Sequence, residues 1–165
     1  FAWSACLYSQ GLIPMLHAYK YHQKTLYRQS FIRVMIDHVA YYRLDIRQFD
    51  LIAPIGLHPC RRRERGYNQS ELIAAGLSQH FHVPMSPRLI IRSKPTPSQT
   101  GLPAKERWTN LKGAFKIHSS INIRTKKILM IDDLITTGAT ASRAADALKN
   151  AGVSTAALFT LGTTP

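Results

Sequence analysis

The sequence predicts an α/β fold, a mostly parallel sheet flanked by helices, and three observations carry that prediction. The run KILMI at Lys127–Ile131 is apolar throughout after its lysine, as a strand covered on both faces must be. Asp50–Ile55, DLIAPI, is a second short apolar run, interrupted by Pro54, and reads as another buried strand. The last third of the chain then reads strand, loop, helix, strand, the βαβ unit through which parallel strands are connected.

Taken in chain order, Ala5, Leu7 and their neighbours predict a short strand, and Gly11 interrupts it. Leu12, Ile13 and Leu16 recur at helical spacing. A clearer amphipathic helix follows, with Phe31, Ile32, Met35, Ile36 and Val39 on one side and Arg33, Asp37 and His38 on the other. After the Asp50–Ile55 strand, His58–Gly66 is basic and reads as a loop. Leu72, Ile73, Gly76 and Leu77 share one face of a helix over Gln69–His80, for which Asn68 and Gln69 are capping candidates. Leu89–Arg92 predicts a short strand. Ser93–Pro103, SKPTPSQTGLP, carries three prolines and a glycine and predicts a loop. Lys105–Lys112 reads as a short helix and Ala114–Ile117 as a strand. Ala144, Ala145, Leu148 and Ala151 give a helix over Thr140–Ala151, Gly152 sits where a helix stops, and Thr155–Leu161 is the final strand.

The 165 residues suit one domain, 1–165. Hydrophobic residues at 45% and charged residues at 19% exclude a disordered chain. Cys6 and Cys60 are too far apart for metal-ligand spacing, so neither a disulfide framework nor a zinc site within the chain is expected, and a reducing cytoplasm fits. No apolar run approaches the ~20 residues of a membrane span, and no signal peptide is visible. The charge is the unusual number: 22 Lys and Arg against 9 Asp and Glu give +13. A field of that sign concentrates anions, which points to nucleic acid, anionic membrane or polyphosphorylated metabolites.

The chemistry lies in ILMIDDLITTGAT, Ile128–Thr140. Asp132 and Asp133 follow a strand, where ligands of open α/β sheets bind. Adjacent carboxylates repel one another; ribose hydroxyls are natural donors to them and Mg²⁺ a natural counter-charge. Thr136, Thr137, Gly138, Ala139 and Thr140 then lead into a helix. A helix start offers unpaired N–H groups and partial positive charge, a glycine allows close approach of an anion, and the threonines add hydroxyl donors. Carboxylates followed by a phosphate cradle match the two ends of a ribose 5-phosphate. Receiver domains also carry an acidic pair at a strand end, but after an early strand. A nucleotide P-loop would need GxxxxGK[ST], which is absent. Threonines at a helix start are otherwise simple caps.

This stretch resembles the signature of type I phosphoribosyltransferases, which bind 5-phosphoribosyl-1-pyrophosphate (PRPP) with Mg²⁺. The resemblance implies that Asp132 and Asp133 bind ribose and can hold Mg²⁺, and that Thr136–Thr140 bind the 5-phosphate. PIGLHPCRRRERGYNQ at Pro54–Gln69, TPSQTGLPAKERWTNLKGAF at Thr96–Phe115 and KYH at Lys20–His22 resemble stretches of the ComF/GntX competence-protein family. Together they cover nearly the whole chain. ComF proteins usually carry an N-terminal cysteine-rich zinc-binding segment, which this chain lacks; Cys6 alone cannot stand in for it. Gly56 stands where the family has proline and Tyr67 where it has phenylalanine. The resemblance implies a type I phosphoribosyltransferase-like core with a small N-terminal hood, for which residues 1–45 are the candidates.

Arginine's planar fork suits phosphate, and Arg61 and Arg65, at the positions matching the family pattern, are the candidates for the pyrophosphate of PRPP. The alternative is a solvated basic patch or a nucleic-acid contact. Gln99 and Thr100 lie where related enzymes have a mobile loop that closes over PRPP and excludes water. Lys105, Arg107, Lys112, Lys116, Arg124, Lys126 and Lys127, with Trp108 and Phe115 among them, suit single-stranded nucleic acid, unless the two aromatics are core. The seven histidines show no i,i+4 metal pair. Two functions follow. One is a ComF-like DNA-uptake protein of natural transformation, cytoplasmic, with a PRPP site, handling single-stranded DNA beside other competence proteins at the inner membrane. The other is an active phosphoribosyltransferase of nucleotide metabolism that transfers phosphoribose from PRPP to an unknown acceptor.

Overall fold

The computed structural model describes residues 1–7, 11–21, 26–93, 113–118 and 122–164. Four strands form a parallel sheet: β1 (Ala2–Leu7), β2 (Leu51–Pro54), β5 (Lys127–Ile135) and β6 (Thr155–Thr163), in the order β1-β6-β5-β2. Residues from the two ends of the chain are therefore neighbours, with Trp3 opposite Phe159. A separate antiparallel pair, β3 (Ile90–Arg92) and β4 (Phe115–Ile117), stands beside β2, which it meets through a bridge from Ile55 to Ile90.

The period-2 alternation of a strand divides the core in two. Leu129 and Ile131 of β5, with Ala157, Phe159 and Leu161 of β6, face α1 (Leu12–Tyr21), α2 (Tyr27–Tyr41) and α4 (Gln69–Phe81), whose Leu16, Tyr19, Phe31, Met35, Ile73 and Leu77 complete that layer. Ile128, Met130 and Leu158 face the other way, onto Ala144 and Leu148 of α5 (Ala139–Asn150) and onto Leu89, Ile90 and Phe115. Both faces of the central strands are covered, which is why their sequences read as unbroken apolar runs. Each fully buried Leu or Ile contributes roughly 1.5–3 kcal/mol.

Three readings of the sequence need correction. The arginine-rich stretch expected as a loop is a helix, α3 (Pro59–Arg65), started by Pro59 in its first turn and by His58, whose Nδ1 accepts from Cys60 N, and stopped by Gly66 at φ 80°. These are ordinary helix boundary signals, masked by the density of charge between them. Strand β5 does not end at Ile131 but runs on to Ile135, so Asp132 and Asp133 lie within it, held by β6 alone. Phe115 is buried among Leu89, Ile90 and Ile123, with the Arg92 guanidinium 5.9 Å from its ring centre, so it is not a surface for stacking bases. Residues 1–45, the candidates for a hood, supply β1 of the main sheet and the helices α1 and α2, which pack on its core.

Position 56 also finds its reason, since a Cβ there would come within 2.4 Å of the Ile90 carbonyl oxygen. The proposed mobile-loop residues Gln99 and Thr100, and Trp108, lie outside the described residues. Among the described residues no helix is long and apolar enough to cross a membrane.

Candidate functional site

The site begins where β2 ends. Pro54 pairs with Ile131, and Ile55 donates to the Ile131 carbonyl at 2.9 Å; beyond that point β6 is the one strand paired with β5 among the described residues. The start of α4 projects over the edge thus left. Asn68 fixes it there: its Nδ2 donates to the Ile55 carbonyl at 3.2 Å, and its Oδ1 caps the helix by accepting from Ser70 N at 3.2 Å. Ser70 Oγ then donates to Asp132 Oδ1 at 2.9 Å, and the same oxygen accepts from Asp133 N at 2.9 Å.

Alternation along β5 turns the two acids to opposite faces. Asp132 lines an open cleft together with Thr136, Thr137, Gly138, Thr140 and Thr160, its partner across the sheet. Asp133 follows Leu129 and Ile131 toward α1, is 4% exposed, and takes the Lys20 ammonium at 2.9 Å. Burial pushes the Asp132 carboxyl up to about 7, and the neighbouring Asp133 charge adds to this, against the hydrogen bond from Ser70 and the attraction of Lys20. Burial works against the Lys20 ammonium too, but Asp133 outweighs it and the group's pKa lies above its ordinary value.

The threonine–glycine loop closes the cleft. Gly138 is the N-cap of α5, at φ 72°, and has no side chain with which to cap it; Thr137 Oγ1 accepts from Ala139 N at 3.5 Å. An L side chain at this φ would strain the turn by about 1–2 kcal/mol. The first N–H groups of a twelve-residue helix thus start at the cleft wall, where an anion is favoured. The structure brings together Asp132 and all of Thr136, Thr137, Gly138, Ala139 and Thr140. It sets Asp133 on the opposite face of the strand.

Arg61 and Arg65 lie on α3, past the end of β2. Each acts on a cation of the site: the charge of Arg65 opposes that of Lys20, and Arg61 that of Arg92, whose pKa burial lowers while Asp132 supports it. Cations from α1, α3 and β3 thus surround the acidic pair.

Ser70, Arg92 and Thr160 belong to this site although their sequence surroundings gave no sign of it. Lys20 had only its place in the KYH stretch. Asn68, read as a cap, is one.

Two adjacent carboxylates fit Mg²⁺, which is usually held by one or two carboxylates with water and substrate phosphates completing its shell. Asp132, at the cleft, is the residue that would hold it. Among the described residues no cluster of three His, Cys, Asp or Glu offers a metal site made by protein alone.

Residues 68–164 match the family described as "Phosphoribosyl transferase domain". Competence protein F of Haemophilus influenzae is 37% identical over 105 residues, covering 63% of this chain and 46% of that protein. "DNA utilization protein YhgH" of Shigella flexneri is 28% identical over 93% of this chain and 68% of its own length. Competence protein ComFC of Streptococcus pneumoniae is 29% identical over 93% of the chain and 64% of its own length. The chain thus spans about half the length of the Haemophilus protein and two thirds of the others. Among solved structures, a hypoxanthine phosphoribosyltransferase from Staphylococcus aureus superposes with a TM-score of 0.53 at 16% identity, covering 84% of this chain and 65% of that one. A purine phosphoribosyltransferase from Pyrococcus horikoshii gives 0.52 at 15%, over 85% and 75%. At these identities the likeness is one of fold.

Proposed function

This chain belongs to the phosphoribosyl transferase domain family, in its ComF competence-protein branch, and we propose that its cleft binds PRPP with Mg²⁺ in a cytoplasmic protein that handles single-stranded DNA during uptake. The observation that carries the PRPP reading is that one cleft joins the Asp132 carboxylate to the threonine–glycine start of α5. A sugar phosphate needs both ends at once. The helix start and the loop threonines bind the 5-phosphate, Asp132 of the acidic pair takes the ribose hydroxyls, and Arg61 and Arg65 balance the charge of the pyrophosphate. Mg²⁺, when bound at Asp132, supplies positive charge between carboxylate and phosphates. The +13 net charge and relatives named for competence and DNA utilization support a nucleic-acid partner, bound mainly through phosphates. Other competence proteins at the inner membrane are further proposed partners.

The arginines of α3 favour a second reading, in which the site turns over. Departure of pyrophosphate from an oxocarbenium-like centre is helped by cations placed at the leaving group, and phosphoribose would pass to an acceptor of nucleotide metabolism.

Calorimetric titration of PRPP, with and without Mg²⁺, tests the binding. We expect metal-dependent binding in the unmodified chain and at least a hundredfold weaker binding in Asp132→Asn, which loses a charged hydrogen-bond acceptor. Failure of the unmodified chain to bind, or equal affinity in the variant, would remove the site assignment. Pyrophosphate release on addition of candidate bases separates turnover from binding alone.

A further inference from the structure

The two acids of the signature are turned to opposite faces by the alternation of β5, and the one turned from the cleft is met by a residue more than a hundred positions away. Lys20 sits in the last turn of α1 with its side chain 19% exposed, 2.9 Å from an Asp133 carboxylate that is 6% exposed. Its backbone is fastened on the same helix turn by a clasp of two tyrosines. The Tyr67 hydroxyl donates to the Tyr19 carbonyl, and the fully buried Tyr19 hydroxyl donates to the Gln69 carbonyl at 3.2 Å. Their rings lie 5.8 Å apart. Tyr67 and Gln69 flank Asn68 at the start of α4, one residue from the Ser70 that holds Asp132. One clasp therefore sets both the ammonium on Asp133 and the hydroxyl on Asp132.

We propose that Lys20 is the positioning residue of the acidic pair: its ion pair commits Asp133 to α1 and leaves Asp132 as the one acid that meets the ribose hydroxyls. This rests on the reading of the cleft as a ribose-phosphate site. A carboxylate has about four acceptor positions, and both hydrogen bonds to Asp132 described above fall on Oδ1, so Oδ2 keeps its capacity for a diol. Asp133 works at one remove. It gives α1 a buried charge to dock on. Without Lys20 the buried Asp133 carboxylate would have lost the ammonium that meets it at 2.9 Å.

The test compares Lys20→Met, Asp133→Asn, the double variant and Asp132→Asn. Each is titrated with ribose 5-phosphate and with inorganic phosphate, and hydrogen exchange is followed in α1. Lys20→Met and Asp133→Asn each weaken ribose 5-phosphate roughly tenfold and leave inorganic phosphate unchanged, because the helix start that binds it is untouched. The double variant, in which no buried charge is stranded, is no worse than either single one. Amides of α1 exchange faster in both single variants and keep their protection in Asp132→Asn. Additive losses, or unchanged exchange in α1 when Lys20 or Asp133 is replaced, would overturn the proposal. If the unmodified chain binds no ribose 5-phosphate, the site reading fails by itself. A thermal-stability cycle on Lys20 and Asp133 then decides whether the two act as a unit, additivity again overturning it.

Discussion

The two ends of the parallel sheet each hold an aspartate beside a lysine, and they treat it in opposite ways. At the end where β5 begins, Asp50 is exposed, accepts from Lys127 N at 2.8 Å and from Lys126 Nζ at 3.2 Å, and these hydrogen bonds hold its carboxyl below the ordinary carboxylate range. At the other end, Asp132 is hydrogen-bonded too, but burial and the Asp133 charge push its carboxyl up to about 7. One aspartate ionises at a gain, the other at a cost. A carboxylate that is held half-buried beside a second one, against its own ionisation, is a group kept for what it binds. The comparison separates the end of the sheet that serves the fold from the end that serves a ligand.

Replacing Asp132 tests this contrast with the largest expected effect on stability. Its folded-state pKa is raised, so the stabilisation tied to its protonated form is complete below the ordinary value near 4 and is lost as pH rises through about 7. Asparagine keeps an acceptor for Ser70 and for Asp133 N but carries no charge. Asp132→Asn should therefore stabilise the ligand-free chain by about 2–4 kcal/mol at pH 8 and by little at pH 4, since each tenfold change in a carboxylate's proton affinity is worth about 1.4 kcal/mol. Urea unfolding at the two pH values measures it. A variant less stable than the parent at pH 8 would show that Asp132 is a structural anchor like Asp50.

How much of this was readable from the chain follows from the distances along it. The strand, the acids, the threonine–glycine loop and the helix after it lie within one local stretch, and the alternation of β5 and the period of α5 are local properties; the reading of Ile128–Thr140 needed no tertiary knowledge. Even there the strand end was misplaced. Leu134 and Ile135 are apolar enough to continue β5, but two aspartates look like a stop unless β6 is known to continue beside them. The α3 helix was hidden because charged residues carry no hydrophobic period on a helix with no buried residue. Lys20, Ser70, Arg92 and Thr160 reach the site only through packing, and no pattern around any of them differs from an ordinary surface or helix position. The tyrosine clasp is of the same kind. Tyr67 stands where the family has phenylalanine, and only packing brings its hydroxyl to the Tyr19 carbonyl.

That hydroxyl sharpens the comparison at a smaller scale. The ligand end depends on contacts between distant segments, whereas Asp50 touches two residues that simply begin the neighbouring strand. Tyr67→Phe removes one hydrogen bond and leaves the ring in place, which costs about 1 kcal/mol. Denaturant unfolding should find that loss, and hydrogen exchange should find α1 opening more often while α2 keeps its protection. A loss spread equally over both helices would mean that the clasp supports the core in general and does not fasten α1 in particular.

The smallest effect is expected at Asp50, and its sign completes the contrast. Its folded pKa is depressed, so its contribution is present above the ordinary value near 4 and is lost as pH falls through the depressed one. Asp50→Asn should thus lower the unfolding midpoint slightly at pH 8 and not at all in acid, the reverse in sign of Asp132→Asn at pH 8. The change should shrink with added salt, because the Lys126 pair is exposed and screened. It should leave the titration of ribose 5-phosphate unchanged, since Asp50 stands at the far end of β5 from the cleft. A change in that affinity would mean that the two ends of the strand are coupled, and the division between an end for stability and an end for binding would have to be given up.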